Sequence, residues 1–161
     1  MPTTTWHITF GTYGTRLHGS PRPTVDRQHN QRGTPFLEVS TERESFQRGR
    51  LRQSPVVLTR TQQQHIESAV PALCERGDWS LVACAAGPDH VHVLIDVDSA
   101  IHGKQVRPLL KRWLTQALDE RWKSNARASW WAEGGSTKPV KDAAYRDRAI
   151  RYILRQRAGG E

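Results

Sequence analysis

Two histidines, His90 and His92, stand with one valine between them in "PDHVHVLIDV", Pro88 to Val97. The stretch alternates as a strand does, and side chains on a strand point to opposite faces in turn. Val91, Val93, Ile95 and Val97 therefore share one face, and His90, His92, Leu94 and Asp96 share the other. The two imidazoles leave the backbone about 6.5–7 Å apart on one side. Their rings can converge on one ion, and neutral imidazole is a common ligand of divalent metals. The pair is equally compatible with a polar outer face that binds nothing. A second pair lies near the C-terminus, where "RYILRQ" puts Tyr152 and Gln156 four residues apart, on one face of a helix. A phenolic oxygen and an amide carbonyl could then serve one site. The alternative is an aromatic packed with its hydroxyl at the rim. Tyr145 falls on nearly the same stripe, but its neighbour one turn on is Ala149, which offers no ligand atom, and Tyr13 has no such neighbour.

These residues need elements to position them. "WHITFGTY", residues 6–13, alternates with Trp6, Ile8 and Phe10 on one side and His7 and Thr9 on the other, as in a half-buried strand. Residues 14–58 are polar and rich in Gly, Pro and Arg, a long basic loop with room for a short helix near 41–50. Thr59 and Gln62 fit a capping box, and Ile66, Ala69, Val70, Leu73 and Cys74 form an apolar stripe behind it. Gly77 is placed to end that helix, and Pro71 to kink or stop it earlier. "WSLVACAA", residues 79–86, reads as a strand, and "GPD" turns it into the histidine strand as an antiparallel hairpin. A long helix over about 106–123 carries Val106, Leu109, Leu110, Trp113, Leu114, Ala117, Leu118 and Trp122 at helical spacing, with Pro108 in its first turn. "WWAEGGSTKPV", residues 130–140, gives a short extended piece with a Gly-rich turn, and a last helix covers about 142–157, docked through Ile150, Ile153 and Leu154. This order predicts an α+β domain spanning residues 1–161, with helices packed on one face of an antiparallel sheet.

The net charge of +8 is unevenly placed. Residues 104–161 hold 14 Lys and Arg against 6 acids, and residues 16–60 hold 9 Arg against 4 acids. Residues 61–103, which contain the histidine pair, hold 1 against 6. Two basic segments flanking an acidic middle favour a polyanionic partner, because neutralising phosphates releases counterions. No run of about 18 apolar residues exists to span a membrane. "MPTTTWHITF" lacks the charged-then-apolar pattern of a signal peptide, so a cytoplasmic protein is expected. Cys74 and Cys84 have no CxxC-type spacing and read as reduced core residues.

"PDHVHVLI" resembles the HUH signature (His, hydrophobic residue, His) of the Y1 single-strand transposases of the IS200/IS605 type. "YILRQ" resembles their catalytic helix. "TWHITFGTYGTRLHG", "VDRQHN", "GTPF" and "WWAEGGSTKPV" resemble the subgroup of REP-associated tyrosine transposases. The resemblance implies a ferredoxin-like HUH fold, a central antiparallel sheet with helices packed on it. It implies Tyr152 as nucleophile and His90, His92 and Gln156 as ligands of Mg²⁺ or Mn²⁺. By that resemblance a bound metal would polarise a scissile phosphate oxygen, and attack by the weak tyrosine nucleophile would leave a 5′-phosphotyrosine and a free 3′-hydroxyl. The implied partner is single-stranded DNA bearing a REP-like hairpin. Its phosphates are sought at Arg22, Arg27 and Arg32 in the loop and at Lys104, Arg107, Lys111 and Arg112 on the long helix. Trp130 and Trp131 are candidates to stack bases, or else core. A monomer is expected rather than a dimer that exchanges the tyrosine helix. Two other functions fit the same residues: a non-catalytic or domesticated hairpin-binding protein of this fold, and a metal-dependent hydrolase of a small phosphate ester.

Overall fold

The alternation in the strands and the 3.6-residue stripes in the helices translate directly into layers. The computed structural model describes residues 2–15, 54–122 and 129–157. Its elements run β1 (Thr3–Gly11), α1 (Arg60–Gly77), β2 (Ser80–Ala86), β3 (His90–Asp98), α2 (Gly103–Trp122), β4 (Ser136–Val140) and α3 (Ala143–Arg155). The strands form one antiparallel sheet in the order β2-β3-β1-β4. That is the ferredoxin-like β-α-β-β-α-β arrangement, with α3 added after β4. The expected hairpin of β2 and β3 is present, with a register shift between Leu81 and Ala83. The loop helix expected near 41–50 lies outside the described residues. The last residues of that long segment are fixed: Val56 and Leu58 are buried, with their N–H groups on the carbonyls of Tyr13 and Pro88.

The helices occupy both faces of the sheet, not one. On the first face, Trp6, Ile8, Phe10, Val91, Val93, Ile95 and Val97 pack against Ile66, Val70 and Cys74 of α1 and Val106, Leu110, Leu114 and Leu118 of α2. On the second face, Ala83, Ala85 and Leu94 pack against Ala149 and Ile153 of α3. Leu94 sits among polar neighbours on β3 because this helix covers it. Ile150 lies at the margin of that contact, and Leu154 is 47% exposed and points away from it. Arginines hold α3 at both ends. Arg146 Nη2 is 3.5 Å from Asp96 Oδ2 of β3. Beyond the other end, Arg157 donates to the Cys84 carbonyl at 3.3 Å and reaches the buried Glu67 carboxylate of α1 at 4.0 Å.

Local chemistry accounts for the helix ends. The Gln62 N–H donates to Thr59 Oγ1 at 3.1 Å, and the Thr59 N–H to Gln62 Oε1 at 2.9 Å, the expected capping box. Thr59→Ala removes one half of it and is expected to cost about 1 kcal/mol, read as a lower urea midpoint with unchanged slope. Helix α1 passes through the exposed Pro71 without stopping. The left-handed residue at its end is Asp78 (φ 61°), not Gly77. Gly77 is required for another reason: a Cβ there would lie 2.4 Å from the Trp79 ring. Helix α2 begins earlier than its stripe suggests, because His102 Nδ1 accepts from the Lys104 N–H and Gln105 Oε1 from the His102 N–H. Pro108 therefore falls in the second turn rather than the first. Both cysteines are buried free thiols, and burial pushes Cys74 up to about 12 and Cys84 to about 11, so they stay protonated.

Candidate active site

The polar side of β1 and β3 and the exposed side of α3 build the site. Pairing of the two strands sets Thr5 opposite Asp96, His7 opposite Leu94 and Thr9 opposite His92. One face thus carries a patch of hydroxyls, imidazoles and a carboxylate beside the strip that α3 covers. The His90 and His92 rings do converge: their centroids are 4.8 Å apart, nearly perpendicular. Tyr152 meets His92 edge to face at 5.4 Å. Two turns of α3 away, Tyr145 lines a pocket of about 230 Å³ together with His7, Arg148, Ala149 and Tyr152.

Each imidazole is oriented through its Nδ1. His90 Nδ1 lies 2.7 Å from Asp89 Oδ1, and the Asp89 carboxylate is almost fully buried. Its backbone carbonyl in turn takes the Thr12 N–H. Gly87 leaves room for this ring, since a Cβ there would stand 3.1 Å from His90 Cε1. His92 is itself buried, at 7% exposure. Its Nδ1 lies 3.0 Å from Thr9 Oγ1 and 3.2 Å from His7 Nε2. His7 is held below the usual histidine range by burial and by the Lys138 charge, so it is neutral at neutral pH. Thr5 bonds Asp96, closing the same face further along. An Nδ1–H donated to Asp89 or to Thr9 places the lone pair of each ring on Nε2. That is how carboxylate and hydroxyl partners prepare histidines as metal ligands.

Gln156 is the C-cap of α3, half-buried, one turn beyond Tyr152, and its side chain makes no hydrogen bond to a described residue. Among the described residues no three His, Cys, Asp or Glu side chains gather as a metal site. A divalent ion here would rest on two imidazoles and the Gln156 amide, a mixed N and O set suited to Mn²⁺ or Mg²⁺. In that tautomer the two Nε2 lone pairs would be the ones open to such an ion.

Other candidates are placed elsewhere. Trp130 and Trp131 are core residues at 2% and 6% exposure, not a stacking platform. Their indole N–H groups are engaged by Asp119 and by the Lys111 carbonyl and Thr115, and Trp131 packs edge-on against Phe10. Lys111 is likewise structural: its ammonium donates to the Ala132 and Gly134 carbonyls, and burial pulls its pKa down. Arg107 donates to Thr137 Oγ1. Lys104 and Arg112 are exposed, but they sit on α2, across the sheet from the histidines. Arg22, Arg27 and Arg32 lie outside the described residues. Three site residues escaped the sequence reading: His7, Thr9 and Asp89. His7 and Thr9 were visible as the polar side of β1, but their pairing with His92 was not.

Residues 51–156 match the family described as IS200-like transposases. The chain belongs to the IS200-like transposase family. The matched span contains His90, His92, Tyr152 and Gln156, while β1, with His7 and Thr9, lies outside it. No curated protein matches the chain. Among solved structures, a transposase candidate from Deinococcus radiodurans R1 is similar with a TM-score of 0.54 at 13% identity, over 99% of this chain and 95% of that one. A REP-associated tyrosine transposase bound to a REP hairpin is similar with a TM-score of 0.52 at 12% identity, over 94% of this chain and 64% of that longer chain. At these identities the likeness is one of fold. No helix among the described residues is long and apolar enough to cross a membrane.

Proposed function

We propose that this protein is a metal-dependent single-stranded DNA endonuclease and transposase that cuts and rejoins hairpin-bearing, REP-like DNA through a 5′-phosphotyrosine link. The observation that carries this reading is the packing of Tyr152 against His92, itself paired with His90. Nucleophile and ligand pair, about sixty residues apart within the matched family span, thus meet in one place. The hairpin-bound structure of similar fold supports the choice of partner.

His90, His92 and Gln156 would hold the ion, which when bound supplies Lewis acidity and orientation at a scissile phosphate oxygen. The chain's own residues do the rest. The Tyr152 oxygen forms the new bond to phosphorus and its proton passes to solvent. The bond to the 3′ oxygen breaks, and that oxygen takes up a proton as a 3′-hydroxyl. The reverse attack by a 3′-hydroxyl rejoins a strand, so no nucleotide cofactor is consumed. Asp89, Thr9 and His7 hold the imidazoles in the tautomer that the ion needs. In this reading one chain suffices, as a monomer, because α3 is tied at both ends to its own sheet and to α1.

The test is to mix the protein with labelled hairpin strands and Mn²⁺ or Mg²⁺ and to look for a denaturant-resistant protein–DNA adduct. Tight binding with no adduct across varied hairpins favours a non-catalytic hairpin-binding protein instead. The tautomer argument makes a separate prediction. Thr9→Val removes the hydroxyl beside His92 and is expected to weaken Mn²⁺ binding by about 10–100-fold, measured by calorimetric titration. Unchanged affinity removes Thr9 from the site.

A further inference from the structure

The arginines of α3 and its C-terminal end divide into two sets. Arg146 and Arg157 are committed to Asp96, Glu67 and the Cys84 carbonyl. Arg148, Arg151 and Arg155 are exposed, and none forms an ion pair with a described residue. Arg151 Nε reaches only the Asp147 carbonyl of its own helix, at 3.4 Å. At i, i+3 and i+7 these three share a stripe with Tyr152, which follows Arg148 by four residues and precedes Arg155 by three. With Tyr152 and Leu154 they line a groove of about 580 Å³, and Arg148 also borders the smaller pocket between His7 and Tyr152.

The stripe from Arg148 to Arg155 is about 10 Å long at the helical rise. A nucleic-acid strand carries about one charge per 3.4 Å in a duplex and can spread further when single, so three guanidiniums can each meet a phosphate. The chain keeps these three cations unpaired beside Tyr152; on the far layer it engages Arg107 and Lys111 and leaves only Lys104 and Arg112, among the α2 cations named above, exposed. Guanidinium groups bind phosphate through two parallel hydrogen bonds, which fixes direction as well as charge.

We propose that Arg148, Arg151 and Arg155 form a phosphate-binding rail that leads the backbone of the single strand past Tyr152. The inference rests on the DNA-cleaving reading and names where that site grips its substrate. It makes the tyrosine helix a substrate-holding element as well as the carrier of the nucleophile.

Binding without chemistry separates the two ideas. A Tyr152→Phe protein is titrated, without divalent metal, into a fluorescent hairpin with a single-stranded flank, across salt from about 0.1 to about 1 M. The same protein with Arg148→Ala, Arg151→Ala and Arg155→Ala is compared with it. Losing three phosphate contacts to a single strand lowers the salt slope by about 2. Affinity is then expected to fall about 100-fold at about 0.1 M salt and to converge on the parent near about 1 M. Exposed Arg to Ala changes on a helix keep its propensity, and circular dichroism melts confirm that each variant is folded. An unchanged slope overturns the rail and leaves the cleavage reading intact. An equal loss from Lys104→Ala with Arg112→Ala, which removes charge from α2, overturns it too, since charge in general then suffices. A parent that binds no hairpin strand overturns both readings.

Discussion

Tyr152→Phe is expected to bind hairpin DNA as tightly as the parent while covalent adduct falls by at least about 10³-fold, the scale seen when a nucleophile is removed. The substitution is a clean one because of where the ring sits. Its edge-to-face packing on His92 does not use the hydroxyl, so phenylalanine keeps that contact. Tyr152 is 44% exposed, and losing a hydroxyl at such a position changes stability by less than about 0.5 kcal/mol. A lost adduct is then a loss of chemistry rather than of fold. Tyr145→Phe is the matched control, since Tyr145 lines the same pocket two turns earlier. Adduct that survives in Tyr152→Phe and vanishes in Tyr145→Phe moves the nucleophile to Tyr145. Adduct that survives in both removes α3 from the chemistry.

His92→Ala is expected to abolish detectable Mn²⁺ binding and to lower adduct formation by about 10²–10⁴-fold, the range of a group acting directly in the reaction. Unlike Tyr152, it also carries a structural cost. His92 is buried, and its removal leaves Thr9 Oγ1 and His7 Nε2 without their common partner. Both groups are half-buried and keep a 3.4 Å contact with each other, so the cost is expected to be about 1 kcal/mol, at the low end for a lost hydrogen-bond partner. Two measurements separate these effects. Thermal melting in chelator reads the structural part alone, and Mn²⁺ calorimetry on the folded variant below its melting temperature reads the ligand part. Mn²⁺ binding that equals the parent's in folded His92→Ala protein contradicts the ligand assignment, whatever the melting curve does.

Much of this site could be read from residue order because its strongest signals are local. Alternation over Val91 to Val97 fixes which side of β3 is apolar. The i, i+4 spacing of Tyr152 and Gln156 fixes one helix face. The Thr59 capping box forms within four residues. What was not legible depends on partners distant in the chain. His7 and Thr9 are polar residues on an ordinary strand until β1 is paired with β3, about eighty residues on, in one particular register. The second helical layer left a trace in Leu94, Ala83 and Ala85, apolar residues on the polar side of their strands. That trace is ambiguous until Ala149 and Ile153 are seen to cover it. Trp130 and Trp131 show the limit of composition: the same indoles can stack bases or fill a core. The choice was made by acceptors on α2 that lie 11 to 20 residues away.

The central place of β1 has a further consequence. It pairs with β3 on one side and β4 on the other, sending Trp6, Ile8 and Phe10 to one layer and Thr5, His7 and Thr9 to the opposite one. A slip of one residue exchanges those two sets. It would press a histidine and two threonines into hydrocarbon and turn Trp6, Ile8 and Phe10 outward, at a cost of several kcal/mol. Mis-registered chains therefore fail as folded proteins rather than persisting as intact but idle ones. The ligand-bearing side is inspected, in effect, by the core that forms behind it. A population of these molecules that passes a folding assay has already passed a test of how His92, Thr9 and His7 are arranged.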